Sequence, residues 1–299
     1  MLGIFSRILR YLRLKANVSI LRFFTWWRNG MPKAFPDAVL RIPSRDAGRT
    51  IKANVYRPTT SLRPSPVLVN FHGSGYVFSL HGSDDTFCRK VSNETSYTVL
   101  DIQYSLAPER PFPAAVDDGE DVVKWVLQQP DAFDASSISI GGFSAGAALS
   151  LAHATVNFPK GTFKSLICFY PPCDLSASPE ERVAKVPDPD GHPIPAAIDR
   201  LFSSAYVPLD IDRKDPRVSP SFAPVENVPD NVLMITCARD SLCLDAEAVA
   251  ARIEEAGKTN VVRRRMAKCD HAWDKNARTP EEVAARDEAY ALAVQMLSA

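Results

Sequence analysis

Among its 299 residues the sequence has no run of 18 or more apolar side chains, so it predicts no membrane-spanning helix. It also lacks a secretory signal segment, because basic residues interrupt every apolar stretch near the N-terminus. None of the six cysteines forms a C-x-x-C pair, and a chain of this length needs no disulfide staples. We therefore expect free thiols in a reducing compartment, which predicts a cytoplasmic protein.

Neither sign of charge is in excess over the whole chain, which has 35 basic and 35 acidic residues. This balance gives no indication of a nucleic-acid partner. Residues 1–36 differ from the rest, because they contain seven basic residues and no acidic one. Apolar side chains recur there at helical spacing, namely Leu2, Phe5, Ile8, Leu9 and Leu12.

Strand-like apolar runs alternate with helical patterns along most of the chain. The runs lie at 67–71, 98–102, 138–143, 166–170, 232–237 and 261–266. Their alternation with helical segments predicts a parallel sheet with helices on both faces. Two earlier segments, 37–43 and 50–57, look like an antiparallel pair that leads into the sheet. The proline-rich stretch from Pro171 to Pro229, with one helix at about 193–206, predicts an insertion rather than a linker.

The stretch Gly142-Phe143-Ser144-Ala145-Gly146 places a serine between two glycines, directly after a strand-like run. A helical pattern follows, so Ser144 is predicted on a tight strand-to-helix turn that only small flanking residues permit. Such a turn directs the serine Oγ outward, and the helix start supplies backbone N–H groups and a positive dipole end. A nucleophile that forms a negatively charged tetrahedral intermediate needs these features.

A second glycine-rich turn, Phe71-His72-Gly73-Ser74-Gly75-Tyr76, follows the strand at 67–71. Its small residues allow successive N–H groups to point at one place, as an oxyanion hole requires. We predict that the N–H groups of Ser74, Gly75 and Ala145 are the donors.

Two further residues follow predicted strands and, with Ser144, form a set of side chains typical of a serine hydrolase. Asp240 comes just after the strand at 232–237, where a carboxylate can orient a histidine. His271 follows the last strand, where a general base can face Ser144. The order Ser144, Asp240, His271, each after its own strand, is that of the α/β-hydrolase triad. No histidine and carboxylate cluster has the spacing of metal ligands, so no metal site is predicted.

Together these motifs resemble the hormone-sensitive-lipase-like branch of the α/β-hydrolases, whose members carry a His-Gly-Gly-Gly oxyanion loop. Tyr104 to Ala115 is similar to that family's Tyr-x-Leu-Ala-Pro-Glu segment, and Asp215 to Pro220 is similar to its segment before the acid-bearing strand. The resemblance spans roughly residues 60–297. It implies an α/β-hydrolase fold, a mostly parallel eight-stranded sheet with helices on both faces and a helical cap. It also implies hydrolysis of short to medium acyl esters without a cofactor.

The family's cap corresponds here to residues 1–35 and to an insertion at about 175–215, and residues 36–299 correspond to its catalytic domain. Three positions depart from the family pattern. Ser74 replaces the middle glycine of the oxyanion loop, Phe143 stands where an acid is common, and Ala147 replaces a glycine. These departures leave the substrate class open. We expect a pocket for an uncharged small molecule, lined by the apolar residues Tyr76, Phe78, Phe143, Phe202 and Tyr206.

Residues 1–30 have three interpretations. They form a cap helix over the acyl pocket, as the resemblance suggests, or a cationic amphipathic helix lying on an anionic membrane. The third interpretation is a mitochondrial transit segment, because the segment is rich in arginine and has no acid. Four aromatic residues suit either of the first two interpretations: Phe23, Phe24, Trp26 and Trp27.

Three functions remain open for the whole chain. The first is a serine carboxylesterase acting on a small-molecule ester. The second is an amide or formamide hydrolase that uses the same triad. The third is a non-catalytic ligand receptor on the same fold, like the plant hormone receptors of this family; those receptors lose the triad histidine, whereas His271 is present here.

Overall fold

The computed structural model describes residues 2–60, 63–257 and 260–299. An eight-stranded sheet forms its centre, with strands β1 Ala38–Pro43, β2 Thr50–Tyr56, β3 Ser65–Phe71, β4 Thr98–Gln103, β5 Phe133–Phe143, β6 Ser165–Phe169, β7 Asn231–Cys237 and β8 Asn260–Met266. The strand order is β1-β2-β4-β3-β5-β6-β7-β8. Strand β2 pairs antiparallel with β1 and β4, and all other pairs are parallel. The predicted mostly parallel eight-stranded sheet with an antiparallel entry is therefore confirmed.

In the described residues eight α-helices accompany the sheet: α1 Leu2–Asn29, α2 Asp85–Glu94, α3 Ala114–Leu127, α4 Ala145–Ala152, α5 Pro179–Ala184, α6 Ala196–Tyr206, α7 Cys243–Glu255 and α8 Pro280–Ser298. Apolar residues of α3, α4 and α7 pack into one core cluster. Those of α2 and α8 pack into a second cluster on the other face of the sheet. Helices on both faces give the sheet a dry interior on each side, as parallel strands require.

Burial distinguishes the central strands from the edge. In β5 the six residues Ile138 to Phe143 are all buried, as expected for a central strand covered by helices on both faces. Strand β8 is the last of the sheet, and its side chains Arg263, Arg264 and Arg265 are exposed and salt-bridged to glutamates. Charged side chains on an edge strand discourage pairing with another chain.

The segment between β6 and β7 lies above the carboxyl edge of the sheet. The sequence predicted one helix there, but the structure has two, because a short helix α5 precedes α6. Proline at the first position of α5 and two glutamates in its first turn favour that extra helix start. Helix α1 contacts α6, so the N-terminal segment and the insertion lie side by side.

All six cysteines are buried and unpaired, as expected from their spacing. Within the described ranges, no helix combines the length and the apolar character needed to cross a bilayer.

Candidate active site

Ser144 lies on a strained turn between β5 and α4. Its backbone has φ 49° and ψ −120°, a conformation that L residues seldom adopt. The flanking glycines are required there, because a Cβ at either Gly142 or Gly146 would collide with the carbonyl oxygen of Phe71. The Ser144 N–H donates to the Phe169 carbonyl at 2.8 Å, which fixes the turn to the neighbouring strand. The predicted strand-to-helix turn is present, and it holds the Ser144 side chain at the end of the sheet.

Ser144, His271 and Asp240 form one hydrogen-bonded row. His271 Nε2 lies 2.9 Å from Ser144 Oγ, and His271 Nδ1 lies 2.7 Å from Asp240 Oδ2. These residues are 127 and 31 positions apart, so only the tertiary fold brings them together. His271 Nδ1 carries a proton and donates a hydrogen bond to the Asp240 carboxylate. Nε2 is then free to accept the hydroxyl proton of Ser144.

Backbone hydrogen bonds join the segment that leads to Asp240 to the segment that leads to His271. The N–H of Ala238 donates to the Met266 carbonyl at 3.0 Å, and the N–H of Arg239 donates to the Cys269 carbonyl at 3.1 Å. Asp240 is fully buried, and its Oδ1 accepts the Leu242 N–H at 3.1 Å. One carboxylate oxygen is thus occupied by backbone, which leaves Oδ2 directed at His271.

The electrostatic environment suits His271 to the role of a base. Burial alone would lower the pKa of its imidazole, but the attraction and hydrogen bond of Asp240 outweigh burial and raise that pKa above 6.5. Two other buried histidines behave differently. Burial lowers the pKa of His72 to about 3 and that of His153 to about 4, so both rings are neutral.

Two backbone donors from the turn after β3 and one from the start of α4 lie beside Ser144. Ser74 and Gly75 line the same pocket as the Ser144 side chain. Within the described ranges no backbone carbonyl accepts their N–H groups. Ala145 is the first residue of α4, so its N–H has no partner within the helix. The three predicted oxyanion donors are therefore unoccupied N–H groups beside the nucleophile.

The Ser74 hydroxyl, which the family's glycine would lack, has a defined place. Tyr104 Oη lies 2.6 Å from Ser74 Oγ and donates to the His72 carbonyl at 2.6 Å. Since the tyrosine has a single proton, Ser74 donates to Tyr104. Ser74 Oγ in turn accepts the Tyr76 N–H at 2.9 Å. These hydrogen bonds link Ser74 to the His72 carbonyl through Tyr104 and directly to the Tyr76 N–H, so they hold the turn on both sides of Ser74.

A pocket of about 790 Å³ opens over Ser144 and His271. Its walls come from the end of α1 and the segment after it, from α6, and from the loop that precedes α6. That loop is fixed to the loop that carries His271, because the His192 N–H donates to Asp270 Oδ1 at 2.9 Å. It is also fixed to the loop that carries Asp240, because Arg239 pairs with Asp188 at 2.8 Å. The insertion therefore forms a wall of the pocket.

Three of the five predicted pocket residues line this pocket and two do not. Tyr76 and Phe202 line it, as does Phe78. Phe143 is completely buried beneath the turn and stacks on Phe169 at 4.4 Å, so its assignment as a substrate contact was wrong. Tyr206 was also assigned wrongly, because its ring lies behind Tyr76, stacked at 3.6 Å and almost without exposed surface.

Sequence reasoning missed a buried charge cluster under the pocket. Lys275 Nζ lies 2.8 Å from Asp84 and 2.9 Å from Asp274, and 3.2 Å from the centre of the Phe143 ring. Asp274 also accepts the hydroxyls of Tyr170 and Tyr290. Where the family resemblance implies an acid beside the nucleophile, this chain presents an aromatic face to a lysine. The only sequence signal was the lysine four positions after His271.

No group of three or more histidine, cysteine or acidic side chains is positioned for a metal ion in the residues that the structure describes.

Comparison with known proteins identifies the family. Residues 68–275 match the model of a family described by its alpha/beta hydrolase fold. The chain belongs to the alpha/beta hydrolase fold family. The resemblance to its hormone-sensitive-lipase-like branch is thereby confirmed, and so is the prediction that the chain is a hydrolase.

Individual relatives agree with this membership. An ethyl acetate hydrolase of Pseudomonas putida is 29% identical over 231 residues, which cover 74% of this chain and 71% of the relative. The carboxylesterase NlhH of Mycobacterium tuberculosis is 32% identical over 193 residues, 60% of this chain and 58% of the relative. Among solved structures, a hyperthermophilic esterase from the archaeon Pyrobaculum calidifontis superposes with a TM-score of 0.82 at 29% identity, covering 98% of this chain and 99% of that one.

Proposed function

We propose that this protein is a serine carboxylesterase that hydrolyses short to medium acyl esters of uncharged small molecules through an acyl-enzyme on Ser144. The observation that carries the proposal is the row from Ser144 Oγ to His271 Nε2 at 2.9 Å and from His271 Nδ1 to Asp240 at 2.7 Å. The esterase names of the relatives support the choice of ester over other acyl compounds.

In the first half-reaction His271 Nε2 takes the hydroxyl proton of Ser144 as Oγ attacks the ester carbonyl. The negative oxygen of the tetrahedral intermediate accepts hydrogen bonds from the N–H groups of Ser74, Gly75 and Ala145. The C–O bond to the alcohol then breaks, and His271 returns the proton to the leaving oxygen. Asp240 stabilises the imidazolium during both steps.

In the second half-reaction water attacks the acyl-enzyme. His271 takes a proton from the water, and the oxyanion again rests on the same backbone donors. Collapse of the intermediate breaks the bond to Ser144 Oγ, which recovers the proton from His271. The products are the carboxylic acid and the unchanged enzyme.

An uncharged substrate is supported by the pairing of the buried charges around the pocket, whereas Lys33, which also lines it, is exposed to solvent. Lys275 is held by Asp84 and Asp274. Among the lining acids, Asp199 pairs with Arg182, and Asp85 accepts the Tyr56 hydroxyl and a backbone N–H. A charged substrate would have to compete with these internal partners. We propose further that residues 1–35 and the insertion at about 175–215 act as the cap that shapes the acyl side, since parts of both line the pocket.

A fluorophosphonate probe tests the proposal, because it phosphonylates only an activated serine. We expect the purified protein to be labelled, and Ser144→Ala and His271→Ala to lose labelling while unfolding at the temperature of the parent. Ser150→Ala is a matched control, since Ser150 lies in the following helix and donates to the Gly146 carbonyl. Labelling that survives in Ser144→Ala would refute the nucleophile.

A side-by-side assay of matched ester and amide substrates separates the alternatives. Faster turnover of the ester supports the carboxylesterase, and faster turnover of the amide or formamide would replace it with that hydrolase. A folded protein that binds ligands but is neither labelled nor active would instead be a receptor.

A further inference from the structure

Helix α1 presents a long apolar face to the solvent. This outer stripe consists of six residues, each more than half exposed: Phe5, Leu9, Leu12, Ile20, Phe23 and Trp27. Their spacing places them on one side of the helix, over about 33 Å of its length. The side chain of Leu2, which continues the sequence pattern, lies outside the described residues. A contiguous apolar patch of this size on a protein surface marks an interaction site.

The opposite side of α1 is fastened to the protein body, so the stripe has a fixed orientation. Val18 is fully buried against the core. Arg22 donates to the carbonyls of Val77 and Ala107, at 2.7 and 2.8 Å, and pairs with both oxygens of Glu109. Arg10 donates to the Ser204 carbonyl of α6. A rotation that turned the stripe inward would break all of these contacts.

The charge around the stripe indicates what covers it. Residues 1–36 contain seven basic and no acidic side chains. By helical spacing Arg13 and Lys15 lie on the two flanks of the stripe. In the described part of the chain no salt bridge engages Arg7, Arg13 or Arg28. A second copy of this helix would bring like charges together, whereas anionic lipid headgroups would neutralise them.

We propose that the outer stripe of α1 docks this protein on the surface of a bilayer that contains anionic lipids. The stripe enters the boundary between headgroups and acyl chains, with the aromatic rings of Phe23 and Trp27 at that level. Arg13 and Lys15, which flank the stripe, bind the headgroups. The helix lies in the plane of the membrane and does not cross it.

The docked helix holds the pocket on its far side from the lipid, about one helix diameter away. Thr25 and Asn29 of α1, which by helical spacing face away from the stripe, line the pocket together with residues 30–33 and Phe35. An ester dissolved in the bilayer therefore reaches Ser144 with a short path through water. This substrate consequence rests on the proposed esterase function, whereas docking itself does not.

Flotation with vesicles tests docking apart from catalysis, because Ser144→Ala protein can be used throughout. The vesicles are phosphatidylcholine alone, or phosphatidylcholine mixed with phosphatidylglycerol. We expect flotation with the anionic vesicles, weakened by salt, and a blue shift of the fluorescence of Trp26 and Trp27. The double variant Phe23→Ser, Trp27→Ser should bind at least about tenfold more weakly. Leu209→Ser is the matched control, since Leu209 is equally exposed but lies outside α1.

A second variant, Arg13→Gln with Lys15→Gln, keeps the apolar stripe and should lose the preference for anionic vesicles. Absence of flotation, or equal binding to both vesicle types, would overturn the proposal. So would a dimer in sedimentation that the stripe variant dissociates, because a second copy would then be the occupant. Hydrolysis of a long-chain ester in vesicles should fall in the stripe variant, made with Ser144 intact, while a water-soluble ester is turned over normally. If the parent hydrolyses neither ester, the esterase function fails and the flotation result still stands.

Discussion

The carboxyl edge of the sheet and helix α1 border the same pocket, but the protein holds them by different means. Asp240 is fully buried and Ser144 nearly so, and each hydrogen bond in their row joins residues from separate strands. Among the described side chains of α1 only Val18 is fully buried, and the helix is fastened by Arg10 and Arg22. The edge is held where three strands end, whereas α1 is held by one buried side chain and two arginines and leaves one apolar side exposed.

This difference predicts that substitutions in the two regions have different effects. Substitution at the sheet edge disturbs geometry that catalysis needs to within fractions of an ångström, so its effects appear in kcat. Substitution on α1 alters a wall and a surface, so its effects appear in stability, substrate range or surface binding. The following predictions test that division, from the largest effect to the smallest.

Asp240→Asn should produce the largest loss. The amide cannot stabilise the imidazolium, and its N–H₂ group favours the wrong tautomer of His271. We expect kcat to fall by about 10⁴-fold with little change in KM. Initial rates on an activated acetyl ester measure it, with thermal unfolding as the control for folding. A loss of tenfold or less would mean that Asp240 only supports the loop.

The pH profile sharpens the same prediction. His271 must be neutral to accept a proton, and its pKa lies above 6.5 in the parent. We expect kcat/KM to rise about tenfold per pH unit below the pKa of His271 and to become constant above it, with the midpoint of the change above pH 6.5. Asp240→Asn removes the group that raises this pKa, so its residual activity should level off at lower pH. An unchanged midpoint in the variant would contradict the assignment of the base.

Ser74→Ala should have an intermediate effect on the same edge. It leaves the buried Tyr76 N–H without an acceptor and interrupts the bonds through Tyr104, so the oxyanion donors shift. We expect kcat to fall roughly tenfold at nearly constant KM, equivalent to about 1–2 kcal/mol. Tyr104→Phe should give a similar loss, and the double variant should lose less than the two losses combined. Independent, additive losses would show that the hydrogen-bonded chain does not act as a unit.

Arg22→Ala should affect α1 and leave the sheet edge intact. It removes bonds to two carbonyls and a partly exposed pair with Glu109, so we expect unfolding to become easier by roughly 1–2 kcal/mol. Activity on an acetyl ester should change less than threefold, as about 0.6 kcal/mol or less in the barrier would imply. Arg13→Ala is the control on the same helix. A large loss of acetyl-ester activity in Arg22→Ala alone would erase the distinction between the two regions.

Much of the site could be predicted because its signals are local. Gly142 and Gly146 mark a place where backbones approach too closely for a side chain, and each triad member directly follows an apolar run that ends at the same sheet edge. Strand burial and chain order were therefore enough to nominate Ser144, Asp240 and His271. The glycine-rich turn was found by the same reasoning, but the sequence could not show how the Ser74 hydroxyl is used.

The remaining assignments depended on lateral packing, which no local pattern specifies. Phe143 directly precedes Ser144 and Tyr206 ends α6, which borders the pocket, yet both rings face away from the pocket into packed rings. Lys275 finds Asp84 across almost two hundred residues of chain, because the segment after His271 returns to the start of α2. These partners are chosen by the shape of the filled core.

By itself the sequence determined the order of the strands and of the α-helices other than the short α5, the strained serine turn and the identity of the hydrogen-bonding groups, because periodicity and small residues act over a few positions. It also determined that α1 is amphipathic and basic. Only the tertiary structure decided which face of α1 is fastened and which is exposed, since Val18 and Arg22 select that face by contacts distant in sequence. Contacts of this kind form only when the sheet, the insertion and the helix are packed together.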